Sequence, residues 1–341
     1  MYRTVTFDGL CQVRKCVHLH RQFSAVTSRK ASCLLNPPVT SSNSKNNVHR
    51  RFSFESWALA LSRSEPVAFA QQLLEYVHLT TGMSWCHTII LTSLALRTVT
   101  TFPLAIYQNH VLARLRNLNP EIAKLVPELR NETNLAVKMF KLSEKRAKLL
   151  YKHSLKKQIN KLIIRDNCHP FKSTVVMLVQ IPVWISFSVA LRNMAFMMPY
   201  QDMAAQALFL ELSVGGALWF TNLTVPDPLF IMPVLLGAVN LLNIEMNALK
   251  RAGNITRYAK VVTNVFRVLS LVMIPIASMM PSDVALYWLC SSGFALGQNV
   301  ALTSPSFRRF CRIPVVAGES QTPFQDICQN LKKRLRLKAV T

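Results

Sequence analysis

A single arginine stands inside a long apolar run. Residues 83–106, MSWCHTIILTSLALRTVTTFPLAI, are long and apolar enough to cross a bilayer, and Arg97 lies near their middle. A guanidinium at that depth costs about 2.5–3.5 kcal/mol on insertion scales and usually faces a bundle interior or a wet cavity. It carries five N–H donors and a fixed charge, so its chemistry is reversible binding of carboxylates or backbone carbonyls. A snorkelling arginine, or one paired to a neighbouring helix, is the other reading. Five more polar side chains fall within apolar runs: Gln180, Asn240, Asn243, Gln298 and Asn299. Helix–helix hydrogen bonding is the alternative role of each amide.

Nothing else offers reaction chemistry. The sequence has no GxSxG, HExxH, P-loop or GxGxxG, and no pair of carboxylates inside an apolar run. Its eight cysteines form no CxxC, and His18-x-His20 is a chance pair rather than a metal-ligand set. No enzyme activity, cofactor or metal is expected.

The composition sets the class. Half of the 341 residues are hydrophobic, which suits a membrane protein with sizeable soluble segments. Lys and Arg number 40 against 16 Asp and Glu, a net charge of +24. Such an excess points to anionic lipid, nucleic acid, acidic partners or a targeting signal, and its placement decides among them. Residues 1–53 carry nine basic residues, one acid and many serines without an unbroken apolar core, the composition of a mitochondrial transit peptide. Arg50-Arg51-Phe52-Ser53 resembles the neighbourhood of a processing site. Residues 54–82 read as a short amphipathic helix lying against a membrane.

Apolar runs at about 83–106, 171–191, 228–247, 261–280 and 283–303 are each near spanning length. A sixth candidate, 203–224, contains Gln206, Glu211 and Gly215-Gly216. Residues 107–172 have net charge +10, residues 248–260 hold four cations and no acid, and 304–341 hold eight basic and two acidic residues. Residues 193–227 have three acids and no base. Five spans put every basic segment on one side, so the positive-inside rule favours five, with the amino end outside and the carboxyl end inside. Segment 203–224 is then interfacial or re-entrant.

Residues 107–170 form the largest soluble piece. Asn119-Pro120-Glu121 reads as cap, first-turn proline and first-turn acid. Leu135, Met139, Leu142, Leu149, Ile159 and Leu162 recur at helical spacing. With both ends at one face, two antiparallel helices follow, turning at 130–134 or near 152–154. Its lysines are a solvated face near anionic lipid, or a contact for ribosomal RNA or a nascent chain. Gly293-x-x-x-Gly297 reads as close helix packing, and Arg267 as a snorkelling residue.

Five local patterns occur in one order: LRTVTTFPL (96–104), NPEIAKL (119–125), NCHPFKSTVVMLVQIPVWISF (167–187), NLTVPDPLFIMPVLLGAV (222–239) and MPSDVALYWLCSSGFALGQN (280–299). Together they resemble the YidC/Oxa/Alb membrane-insertase family over roughly residues 84–302. The resemblance implies an all-α polytopic fold with a five-span insertase core, 83–303. It also implies a matrix helical hairpin between spans one and two, and a water-filled groove closed to the outside. Arg97 matches the family's groove arginine, and Gln180, in QIPVW, the glutamine that faces the groove. With Asn240 and Gln298 they make up the candidate substrate groove. The hairpin is longer than the bacterial pattern, and His169-Pro170 replaces its Asn-Pro.

Residues 304–341, a basic matrix tail broken by Pro305, Pro314 and Pro323, do not resemble the ribosome-docking arm of the family's general mitochondrial insertase. The chain is similar instead to the cytochrome c oxidase assembly branch. That implies a multi-pass protein of the mitochondrial inner membrane, with its amino terminus in the intermembrane space and its carboxyl terminus in the matrix. It would insert membrane segments and export the carboxyl-terminal domain of oxidase subunit 2. The implied partners are that subunit, its assembly and copper-delivery factors, membrane lipid and nascent hydrophobic chains. Ribosome contact would be weak or absent, and no specific nucleic acid is expected. A general insertase, a solute transporter and a passive assembly scaffold are the alternatives. A transporter is disfavoured because no internal repeat is found.

Overall fold

A computed structural model describes residues 54–141, 143–250, 257–316 and 318–340. The reading of 1–53 as a transit peptide lies outside the described residues. These residues are helical throughout, apart from loops and one isolated bridge between Ala217 and Phe220.

Two helices precede the first apolar run, where one was expected: α1 (Phe54–Ser62) and α2 (Glu65–Thr81). Ser64 and Pro66 start α2, and Gly82, at φ 64°, ends it by donating to the His78 carbonyl. The pair is bound into the bundle rather than simply lying on it. Val67, Ala70 and Leu74 are buried in the main core. Ser62 Oγ donates to Asn193 Oδ1 at 2.7 Å, and Asn193 Nδ2 returns a bond to the Ser62 carbonyl at 3.1 Å.

The first apolar run is α3 (Trp85–Leu96), a π turn at Arg97–Thr101, and α4 (Phe102–Asn117). Pro103 explains the wide turn. Its ring would crowd the carbonyl four residues back, and it has no N–H to give. The hydroxyls of Thr100 and Thr101 bond the carbonyls of Leu96 and Arg97, at 2.6 and 2.8 Å.

α5 (Asn119–Phe140) and α6 (Glu144–Arg165) form the antiparallel hairpin. It turns at Lys141, in the left-handed region at φ 46°, and at neither position expected from sequence. Asn119 is not a side-chain cap either: Leu118 precedes α5 in helical conformation with no capping bond. Val111, Leu118 and Cys168 bury the root of the hairpin. Its tip is unburied, and Leu135, Met139 and Leu149 of the expected apolar face are exposed.

A short 3-10 turn (Pro170–Thr174) leads into α7 (Val175–Ala195). Then come α8 (Met203–Val214), α9 (Ile231–Lys250), α10 (Arg257–Ser278) and α11 (Ser282–Ala301). The 12-residue α8 is too short to cross a membrane. It ends in a tight turn at Gly215-Gly216, where a Cβ on Gly216 would overlap the Phe220 carbonyl. Four helical segments are long and apolar enough to cross a membrane: Trp85–Phe140, Phe171–Ala195, Ile231–Lys250 and Arg257–Ser278. α11 matches them in length with 20 residues, but Ser291, Ser292, Gln298 and Asn299 make it less apolar. The chain is an all-α polytopic membrane protein.

One large core fills one end of the bundle. Trp85 and Ile89 of α3, Phe187 and Leu191 of α7, Met232 and Leu236 of α9, and Val284 to Trp288 of α11 meet there. Trp184 stacks on Trp288, whose Nε1 donates to Ser188 Oγ at 2.8 Å. Asp227 is buried and accepts from Leu229 N, Met232 N and Trp219 Nε1, fixing the start of α9. α10 buries only Ser270 and Ala277, and its exposed Val261, Val265, Phe266, Leu269 and Val272 suit lipid contact.

Past α11, α12 (Pro305–Phe310) and the following strand of loop fold back on α4, where Ile313 and Leu302 meet Ala105 and Ala113. α13 (Pro323–Val340) then lies against α9. Gly293 and Gly297 face open space, so they do not serve close packing within this chain.

Candidate functional site

Arg97 begins the π turn, and α7 packs against that turn. Its Nη2 donates to Ser291 Oγ of α11. Among the described residues no carboxylate is in ion-pair contact with it, and the side chain is only partly buried. The guanidinium therefore keeps most of its donors available for a further acceptor. A cation paired to a single hydroxyl in an apolar layer is better suited to a transient ligand than to holding the bundle together.

Below Arg97, polarity continues towards the basic end of the bundle. On α9, Asn240, Asn243, Asn247 and Lys250 are spaced three, four and three apart, one helical face. On α11, Ser291 and Asn299 are eight apart, which is also one face and about 12 Å along the axis. The two faces meet. Asn299 Nδ2 donates to Asn243 Oδ1 at 3.3 Å, and Asn243 Nδ2 to the Ser292 carbonyl at 3.3 Å. Lys250 Nζ donates to the Asn299 carbonyl at 3.1 Å.

Of the four residues expected in a groove, Arg97 thus sits at the head of this stripe. Asn240 and Gln298 lie on the two helices that form it, half-buried and with no side-chain hydrogen bond among the described residues. Gln180 is half-buried on α7, two residues before the bend-prone Pro182, also without such a bond. The structure instead joins Asn243 to Asn299. Sequence reasoning missed Ser291, although its eight-residue spacing from Asn299 marks the shared face. Arg267 does not snorkel: its Nε and Nη2 lie 2.5 and 3.1 Å from the two oxygens of Glu245, clamping α10 to α9.

The stripe opens at the basic end into a cavity of about 930 Å³, lined by Asn109, Arg116, Asn247, Lys250, Asn299 and Arg308 among others. α12 and the start of α13 form its far wall. Burial pushes Arg308 below the usual guanidinium range; Glu319, 3.2 Å away, opposes that, while Arg309 and Arg116 add to it. At the acidic end the stripe is closed. His78 stacks on Trp85 at 4.1 Å, and Trp85 Nε1 and His78 Nε2 approach Glu211 at 3.3 and 3.5 Å. The geometry is a polar half-path, sealed at one end by a packed core and open at the other. Among the described residues no three His, Cys, Asp or Glu side chains converge as a metal site would require.

The profile of the family described as 60Kd inner membrane protein matches residues 76–308. The chain belongs to that family, the YidC/Oxa group of membrane insertases. It is 43% identical over 271 residues to a Pongo abelii protein named cytochrome c oxidase assembly protein COX18, mitochondrial, with 80% of each chain covered. It is also 43% identical to the Mus musculus protein of that name, covering 80% of this chain and 81% of the other. The Arabidopsis thaliana mitochondrial inner membrane protein OXA1 is 31% identical over 81% of this chain and 58% of its own.

Proposed function

We propose that this protein is a mitochondrial inner-membrane insertase dedicated to cytochrome c oxidase assembly, and that it exports the carboxyl-terminal domain of subunit 2. The identity to proteins named COX18 supports the oxidase role. The carrying observation for the mechanism is Arg97, held among the described residues by Ser291 alone, at the head of a polar stripe that opens to one side. In this reading α11 is a fifth span, residues 54–82 lie in the intermembrane space, and the hairpin and carboxyl tail lie in the matrix. The groove is Arg97, Gln180, Asn240 and Gln298, with Ser291 added from the geometry.

The mechanism follows from solvation. A wet half-path shortens the hydrophobic layer that a polar segment must cross. Arg97 offers donors to an acid or a carbonyl of the passing chain, and one charge binds weakly enough to release it. Partition of the client's apolar span into lipid drives insertion. A membrane potential positive outside adds about 2.3 kcal/mol per charge per 100 mV for acidic segments moving outward.

The test is protease protection of newly made subunit 2 in mitochondria lacking this protein, with the outer membrane ruptured. A carboxyl domain that stays protected while other mitochondrially encoded proteins insert normally supports a dedicated exporter. General failure would make it a general insertase, and an exported but unstable domain would make it a scaffold.

A further inference from the structure

Three cations from three helices converge on the cavity at the basic end: Arg116 of α4, Lys250 of α9 and Arg308 of α12. Lys250 lies close enough to both arginines to feel their charge, and Arg308 feels Arg116. Their counter-charge within the protein is small. Glu319 faces Arg308 but is shared with Arg309. Among the described residues Lys250 donates to the Asn299 carbonyl and side-chain oxygen, at 3.1 and 3.4 Å. Among the described residues neither Arg116 nor Asp326, which also lines the cavity, is in an ion pair.

The rest of the lining is two-faced. Asn109 and Asn247 are polar, whereas Leu112, Met177 and Ile327 are apolar, and Met177 is 58% exposed. The volume is within the roughly 300–1,000 Å³ of small-molecule sites. Lys250 ends α9 and Leu302 follows α11, so the cavity lies at the depth where spanning helices meet headgroups. A phosphate diester offers several acceptor oxygens to separate cations at once, where a carboxylate offers two. Basic pockets between spanning helices select anionic headgroups for this reason.

We propose that this cavity binds the phosphate of an anionic phospholipid, held by Arg116, Lys250 and Arg308, with its acyl chains leaving along Met177 and α7. The bound lipid adds to the counter-charge of Glu319 and Asp326, and it pins the carboxyl-terminal segment to α4 and α9. The cavity is the open mouth of the stripe, and its lipid would be held whichever client the groove serves.

The full chain, purified and reconstituted in phosphatidylcholine vesicles with and without phosphatidylglycerol, is extracted in mild detergent and its retained lipid counted by native mass spectrometry. Phosphatidylglycerol should be retained in preference to phosphatidylcholine. The Arg116→Gln/Lys250→Gln double variant should lose about thirtyfold in retention, at roughly 1 kcal/mol per cation. Lys148→Gln, which removes one charge from the hairpin, should retain lipid as the parent does. Should the double variant fail to fold, Arg116→Lys/Lys250→Arg keeps both charges and should keep the lipid. Equal retention by the double variant, or no preference for phosphatidylglycerol, overturns the proposal. So does inorganic phosphate that phosphatidylglycerol does not displace, which would assign the site to free phosphate. An acidic peptide that outcompetes the lipid would also overturn it and make the cavity part of the client path.

Discussion

Arg97 reaches across from the π turn after α3 to Ser291 of α11, and this bond joins the first and last apolar helices at the level where the main core stops. Above it the helices are packed with Trp85, Ile89, Tyr287 and Trp288; below it their facing residues are amides and a lysine. The boundary between a closed and an open half of the bundle is therefore marked by one charged hydrogen bond.

If that bond merely holds the helices together, Arg97→Ala and Ser291→Ala should behave alike. In the groove reading they separate. Arg97→Ala should abolish export of the subunit 2 domain while the protein accumulates normally. Ser291→Ala should reduce export only a few-fold, since the guanidinium and its remaining donors persist. Arg97→Lys should be intermediate, keeping charge but losing the planar fork. Export at the parental rate in Arg97→Ala, scored by protease accessibility, would rule out the groove arginine.

The amino-terminal helices are tied to α7 through Ser62 and Asn193, both buried. Asn193→Leu leaves the Ser62 carbonyl and hydroxyl unpaired in an apolar setting, which costs about 1–3 kcal/mol. Ser62→Ala should cost less, because the carbonyl keeps its donor. Limited proteolysis in detergent should cut Asn193→Leu near residues 62–66 faster than the parent. Unchanged cleavage would mean that Val67, Ala70 and Leu74 alone secure the pair.

The loop after α8 predicts two substitutions of opposite sign. Gly216 has no room for a Cβ against the carbonyls of Phe220 and Thr221. Gly216→Ala must open the turn that closes the acidic end, and should lower the melting temperature by several degrees. Two residues on, Leu218 sits at φ 51° and is exposed. Leu218→Gly removes the left-handed strain without losing buried surface and should stabilise by about 0.5–1 kcal/mol. Differential scanning fluorimetry of the purified chain reads both.

The apolar periodicity marked α3, α7, α9 and α10. It is a one-dimensional signal, and the helices follow it. The π turn at Arg97 was not legible, because it results from Pro103 acting on a carbonyl that hydropathy does not register. The hairpin turn at Lys141 was missed for a related reason: a lysine in the left-handed region carries no turn signature. In the site, residue type alone could select Arg97, but pairing depends on rotation about two helix axes. That is why Asn243 and Asn299 proved to be partners, while Asn240 and Gln298 did not.

Two ion pairs of similar geometry should differ in worth. Arg267 and Glu245 connect α10 to α9 with two contacts, at 24% and 31% side-chain exposure, beside apolar helix faces. Arg165 and Glu121 connect the two ends of the hairpin at 2.9 Å with about half of each side chain exposed. Water and salt screen the second pair, so Glu121→Gln should change stability by less than about 0.5 kcal/mol. Removing the Glu245 charge leaves a guanidinium beside apolar side chains with neutral amide oxygens, those of Asn264 and the new glutamine, as its acceptors among the described residues. Glu245→Gln should therefore cost more than about 1.5 kcal/mol. Replacing both members, Glu245→Gln with Arg267→Leu, should recover most of that, because no buried charge remains. Denaturant or thermal unfolding of the four proteins measures the difference, and a Glu245→Gln variant as stable as Glu121→Gln would show that α10 is held to α9 by apolar packing alone.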